Sequence, residues 1–125
     1  MGDKKLAGIA TEDIGKCTYT ILKKGREFIG KRVGISGDQP TVAQIAAGFT
    51  KALGQEVRYN DVPADVYRSF GFPGSDELGN MFQFFRDFSD VFCAARNPEF
   101  ARSLNPELQT FDAWLAQNKS RIPLE

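Results

Sequence analysis

Apolar positions along this chain recur mostly at three- and four-residue spacing, the period of a helix with one buried face. Ile14, Cys17, Thr18, Ile21 and Leu22 form the first such stripe. Thr11 stands where an N-cap belongs, Glu12 and Asp13 suit the positive first turn, and Lys23-Lys24-Gly25 marks the end. Val42, Ile45, Ala46, Phe49 and Leu53 form a second stripe. Thr41-Val42-Ala43-Gln44 ahead of it is a capping box, and Gly54 closes it. Pro63 opens a short helix that Gly71 ends, and Phe72-Pro73-Gly74 makes a turn. Ser75 caps a longer helix with Asp76 and Glu77 behind it. Asn97-Pro98 and Asn105-Pro106 punctuate the stretch before Thr110, which caps a last helix carrying Phe111, Trp114 and Leu115.

Three segments read as strands instead. Lys5 to Ala10 is a short apolar run, Phe28 to Gly37 centres on Arg32 to Ser36, and Glu56 to Val62 alternates Val57, Tyr59 and Asp61 against Arg58 and Asn60. Two strands joined by the helix over 41–54 suggest a right-handed βαβ unit. The expected fold class is therefore α+β: mostly helical, with two or three short strands.

The longer helix carries the most unusual pattern. At about 100° per residue, Leu78, Met81, Phe82, Phe84, Phe85, Phe88 and Phe92 fall in one arc about 160° wide. Asn80, Gln83, Arg86, Asp87 and Asp90 take the other side. Five phenylalanines between Phe82 and Phe92 exceed what one helix needs to dock. The arc is either core or an apolar pocket wall or association surface.

Composition limits the chemistry. A chain of 125 residues and 13.9 kDa is one ordinary domain, expected to expose about 6,700 Å² when folded. There is no histidine, so neither a Ser-His or Cys-His nucleophile pair nor an imidazole metal site can form. Cys17 and Cys93 are too few for a four-cysteine zinc site and read as two buried thiols of a cytoplasmic protein, with a disulfide between them as the minor alternative. Sixteen basic residues balance sixteen acidic ones, which argues against nucleic-acid binding by bulk charge. The balance is uneven, however. Residues 1–62 carry net +3 and residues 63–125 net −3, with Lys23, Lys24, Arg26, Lys31 and Arg32 concentrating the positive part. That cluster reads as a solvated face or as a phosphate or acidic-partner site.

No apolar run approaches the length of a membrane span, and the first residues hold no signal-peptide core. Residues 1–3 and 124–125 read as additions from cloning, around a single domain over 1–125.

Candidate catalytic patterns are weak. Tyr19 and Lys23 match Y-x-x-x-K, the spacing that places a tyrosine acid and a lysine on one helix face. Both fall opposite the Ile14/Cys17/Ile21 stripe, so both should face solvent. The chain contains neither G-x-G-x-x-G nor G-x-x-x-x-G-K-[ST]. Among the acidic pairs Glu12/Asp13, Asp61/Asp65, Asp76/Glu77 and Asp87/Asp90, nothing converges two carboxyls on a cleft.

The ordered set of motifs carries a resemblance. IATEDIG, then YTILKKGREFIGKRVGISGDQPTVAQIAAGFTKALGQEVRYNDVPADVYRSFGFPG, DELGNMFQFF and the closing TFDAWLAQNK resemble the C-terminal part of NmrA-like proteins. These are atypical relatives of the short-chain dehydrogenases, and the likeness spans about Leu6 to Lys119. The resemblance implies the substrate-binding lobe of a two-part molecule, whose N-terminal Rossmann domain would be this lobe's partner and would bind NADP or NAD. It implies a regulator or redox sensor, or else an NADPH-dependent quinone or carbonyl reductase. The nucleotide-binding residues of the family have no counterpart here, so no cofactor and no catalytic residue is assigned to this chain. Asp13 and Gly15 match the family's D-[IL]-G and imply a helix start beside the Rossmann domain. Trp114 would anchor the last helix. Met81, Phe82, Phe85 and Phe88 would line or support the pocket. A lobe separated from its Rossmann partner would also expose apolar surface, so a homo-oligomer is expected.

Overall fold

The computed structural model describes residues 1–124 and is helical over most of its length. Helix α1 (Thr11–Lys24) runs into a 3₁₀ turn (Gly25–Phe28). Then follow α2 (Val42–Leu53), α3 (Ala64–Ser69), α4 (Ser75–Asp87), α5 (Ser89–Ala94), α6 (Pro98–Leu104) and α7 (Phe111–Asn118), with a last 3₁₀ turn over Lys119–Arg121. Helix α3 packs on α4, α2 on α7 and α1 on α6.

The α+β expectation is overturned: the chain is mostly helical, and none of the expected strands forms. Among the described residues there is no sheet, only two isolated antiparallel bridges, Lys5 to Thr41 and Gly8 to Asp38. The βαβ unit is therefore absent. The reason lies in what the backbone of each segment finds. Over 57–60, Val57 and Tyr59 are half-buried while Arg58 and Asn60 are exposed, so the alternation is real. It records an extended segment lying on the core, with Val57 N–H bonded to Thr50 Oγ1 at 2.9 Å instead of to a neighbouring strand. Over 33–39 the segment closes the end of α5. Gln39 Nε2 donates to Cys93 O at 2.8 Å and Arg96 O at 3.0 Å, and Ser36 Oγ donates to Arg96 O. These groups satisfy carbonyls that a helix end leaves open. Gly34 is required there, because a Cβ would collide with Ala95 O.

The capping box is present as expected, with Gln44 N–H on Thr41 Oγ1 at 3.2 Å and Thr41 N–H on Gln44 Oε1 at 2.8 Å. Thr110 caps α7 through Ala113 N–H at 3.2 Å. Three other expectations shift. The N-cap of α1 is Ala10, not Thr11, and Pro63 stands one residue before its helix. Ser75 is the first residue of α4, after Gly74 at φ 89°, and its hydroxyl donates to Arg68 O at 3.2 Å. The aromatic helix also breaks. Phe88 leaves helical geometry at φ −118° and ψ 22°, and the buried Ser89 hydroxyl donates to Lys5 O at 2.8 Å. Phe92 therefore belongs to α5.

The main core cluster joins Cys17, Ala101, Leu104 and Leu108, with Ile9, Ile21, Phe28, Val33 and Ile35 packed around it. Both cysteines are free and buried. Leu115 is buried in α7, and Phe111 meets Phe49 of α2 edge to face at 5.4 Å. This interior is small. The folded surface is 8548 Å², well above the roughly 6,700 Å² expected of a compact protein of this mass. The surplus includes large apolar side chains: Leu78, Met81, Phe84, Phe88 and Val91 form an exposed row along α4 and α5. Among the described residues no helix is long and apolar enough to cross a membrane.

Candidate functional site

The most extensive helix–helix contact is between α3 and α4. Gly79 permits it, since a Cβ there would lie 2.5 Å from Arg68 Cγ and 3.2 Å from Ala64 O. Arg68 Nη1 then donates to Asn80 Oδ1 at 3.1 Å and Gln83 Oε1 at 3.0 Å. Tyr67 meets Phe82 edge to face at 5.5 Å. This pairing forms one wall of a cleft of about 420 Å³. Val42 and Ile45 of α2, Leu6, and Tyr59 to Pro63 supply further walls.

A polar cluster stands beside the apolar part of this lining, which also holds Asn60, Gln83 and Arg86. The Tyr59 hydroxyl donates to Asp61 Oδ1 at 2.5 Å. The same oxygen accepts from the Met1 ammonium at 2.8 Å and from Gly2 N–H at 3.2 Å. The ammonium, then the tyrosine hydroxyl, hold the Asp61 carboxyl far below the ordinary carboxylate range. Burial first, and the neighbouring carboxylate second, push Tyr59 up to about 12. Arg86 also lines the cleft, and its Nε donates to Asp87 Oδ1 at 2.8 Å. A smaller cleft of about 290 Å³ shares Leu6 and Ile45 and is lined by Asp38, Phe111 and Trp114 among others.

The four residues that the sequence singles out lie apart. Phe82 lines the larger cleft. Phe85 is half-buried against Phe92, with ring centres 4.8 Å apart. Met81 is 37% exposed and Phe88 53% exposed, both on the outer row. Tyr19 and Lys23 face solvent as expected, with the Lys23 ammonium 5.5 Å from the Tyr19 ring centre and Tyr19 64% exposed. Asp13 is fully buried within the lobe, where its carboxyl accepts from Asn105 Nδ2 at 2.9 Å and Gln109 N–H at 2.8 Å. Sequence reasoning misses Tyr59 and Asp61 as a site, although a two-residue spacing on an extended segment puts both on one side.

Residues 1–115 match the sequence model of the NmrA-like family. The chain belongs to the NmrA-like family. Solved structures agree on the fold. A nucleoside-diphosphate-sugar epimerase from Staphylococcus aureus superposes with a TM-score of 0.74 at 23% identity, over 92% of this chain and 41% of that one. A doubly substituted mutant of NmrA gives 0.72 at 20% identity, over 94% and 40%. NmrA, a negative transcriptional regulator, in complex with NADP gives 0.64 at 18% identity, also over 94% and 40%. This NmrA-like chain thus spans about two-fifths of the length of each structure.

Proposed function

We propose that this chain is the substrate- or partner-binding lobe of an NmrA-like regulator or redox sensor, and that it is not catalytic by itself. The observation that carries the reading is the surplus of surface. The 8548 Å² of the lobe exceeds the compact expectation by about 1,900 Å². A standard protein interface buries about 800 Å² on each partner, so the surplus suits a lobe made to seat against a nucleotide-binding domain. The exposed row from Leu78 to Val91 and the two apolar clefts are consistent with that role.

In this reading NADP is not held by this chain's own residues. The long helix that starts at a positive-φ glycine is α4, and Asp76 and Glu77 occupy its first turn. Carboxylates there oppose a phosphate. NADP or NAD belongs in this reading to the nucleotide-binding part of an intact parent, a cytoplasmic protein. Calorimetry of this chain with NADPH tests the assignment: no binding is expected, and micromolar affinity would overturn it.

A second reading makes the parent an NADPH-dependent quinone or carbonyl reductase. The 420 Å³ cleft favours it, because that volume suits a small organic substrate. Turnover of a quinone panel by the full-length protein with NADPH would support this reading, and no turnover would leave the sensor.

A further inference from the structure

The positive cluster marked by the sequence gathers at one place in the fold. Lys23 and Lys24 end α1, Arg26 lies in the 3₁₀ turn that follows, and Lys31 and Arg32 come just after it; all five are exposed. The turn brings the two halves of the cluster together, because the Lys24 and Lys31 ammoniums each lie 5.9 Å from the ring centre of Phe28. Residues 22–33 carry net +4 in a chain of net zero, so the remainder carries net −4. Among the described residues the only ion pair in the cluster is Lys24 with Glu27, at 3.9 Å. The negative end of the α1 dipole accounts for Lys23 and Lys24. It does not account for Lys31 and Arg32, which lie beyond the turn.

Apolar side chains stand among these charges. Leu22 is 73% and Ile29 75% exposed, and no described large apolar side chain is more exposed. Tyr19, 64% exposed, is one helical turn before Lys23, whose ammonium lies 5.5 Å from its ring centre. We propose that the end of α1 and the turn after it form a docking surface for an anionic lipid bilayer. Lysine and arginine cations meet the headgroups of such a surface, while aliphatic side chains between them enter the boundary with the acyl chains. Tyrosine suits the same depth, with an apolar ring and a polar tip. A protein partner fits the patch less well, because lysines are depleted from the cores of protein interfaces. The net −4 of the remainder is repelled by the same bilayer, so the chain docks with the patch foremost.

The probes are vesicles of phosphatidylcholine alone and of phosphatidylcholine with about 30% phosphatidylserine, and binding of the chain is read by flotation. The chain should float with the anionic vesicles in about 50 mM salt, be released in about 500 mM, and ignore the neutral vesicles. Lys31→Glu with Arg32→Glu should lower binding at least about tenfold. Lys51→Glu with Lys119→Glu makes the same charge change at exposed positions outside the cluster and should lower it less than about threefold. Ile29→Ser keeps every charge and should weaken binding at least about threefold. Absence of binding to the anionic vesicles in low salt would overturn the proposal, and that result needs no variant. Equal losses from the two charge-reversal pairs would overturn it too, by showing bulk charge at work instead of the patch. So would unchanged binding by Ile29→Ser, which would assign the cluster to acidic protein segments.

Discussion

Asn105 donates its side-chain amide to Asp13 at 2.9 Å across 92 residues of sequence. The bond ties the first turn of α1 to the loop between α6 and α7, and Gln109 N–H completes it on the other carboxyl oxygen at 2.8 Å. Asp13 is wholly buried and Asn105 is 4% exposed, so the Asn105 amide has no water to turn to when the carboxyl is removed. Each buried donor left unpaired costs about 1–3 kcal/mol. Asp13→Ala should therefore lose about 2–4 kcal/mol of folding stability, read as a lower midpoint in urea denaturation. A loss under about 1 kcal/mol would show that the network does not hold the loop.

Much of the local architecture was legible because its signals are local. Thr41 and Gln44 are three residues apart and close their own capping box, whatever the rest of the chain does. Gly54 takes φ 70° to end α2 for the same reason. The strands failed because pairing is a long-range property. Val57 and Tyr59 alternate on the core without a neighbouring strand. The amphipathic arc on 78–92 identified an apolar face correctly but not its fate. Phe82 turns into the cleft while Phe84 and Phe88 stay outside, because the bend at Phe88 and the contact with α3 separate them. The sequence pairs Asp61 with Asp65, whereas the fold pairs it with Tyr59, and a carboxylate in a loop acquires meaning only from such a partner and the cleft behind it.

The close approach of Gly34 to Ala95 O gives a second stability prediction. The obstacle is backbone at the end of α5, which cannot rotate away as a flexible side chain would. Gly34→Ala should destabilise by roughly 1–3 kcal/mol. Gly15→Ala is the control, since nothing lies within 4 Å of a Cβ there and the residue is helical. It should be neutral or stabilising, by up to about 1 kcal/mol. Thermal melts of the two variants side by side check both signs.

Removing the Thr41 hydroxyl isolates one cap. Thr41→Ala deletes the acceptor for Gln44 N–H and should cost about 1 kcal/mol. Circular dichroism during urea titration measures it. An unchanged midpoint would mean that water replaces the hydroxyl at no cost.

The outer row predicts self-association of the isolated lobe. Phe84 is 47% exposed and its ring lies 5.2 Å from that of Phe88, so the two form one apolar patch. Light scattering should find mass above the 13.9 kDa monomer as concentration rises. The double substitution Phe84→Ser with Phe88→Ser should return the monomer. A monomer throughout for the unsubstituted chain at high concentration would contradict the expectation.

Tyr59 sets an alkaline limit. Its pKa is raised to about 12 when folded, while an unfolded tyrosine titrates near 10. The folded state therefore holds the phenolic proton more tightly than the unfolded state does. By linkage, the stability this provides is complete below about pH 10 and is lost as pH rises through about 12. Lysines also titrate in this range, so the informative quantity is the difference between the protein and Tyr59→Phe. That variant keeps the ring and loses the ionisable hydroxyl. Urea midpoints measured from about pH 9 to about pH 12 should show the original protein losing stability faster than the variant. If the two fall in parallel across the range, the burial of Tyr59 and its bond to Asp61 do not distinguish the folded from the unfolded state.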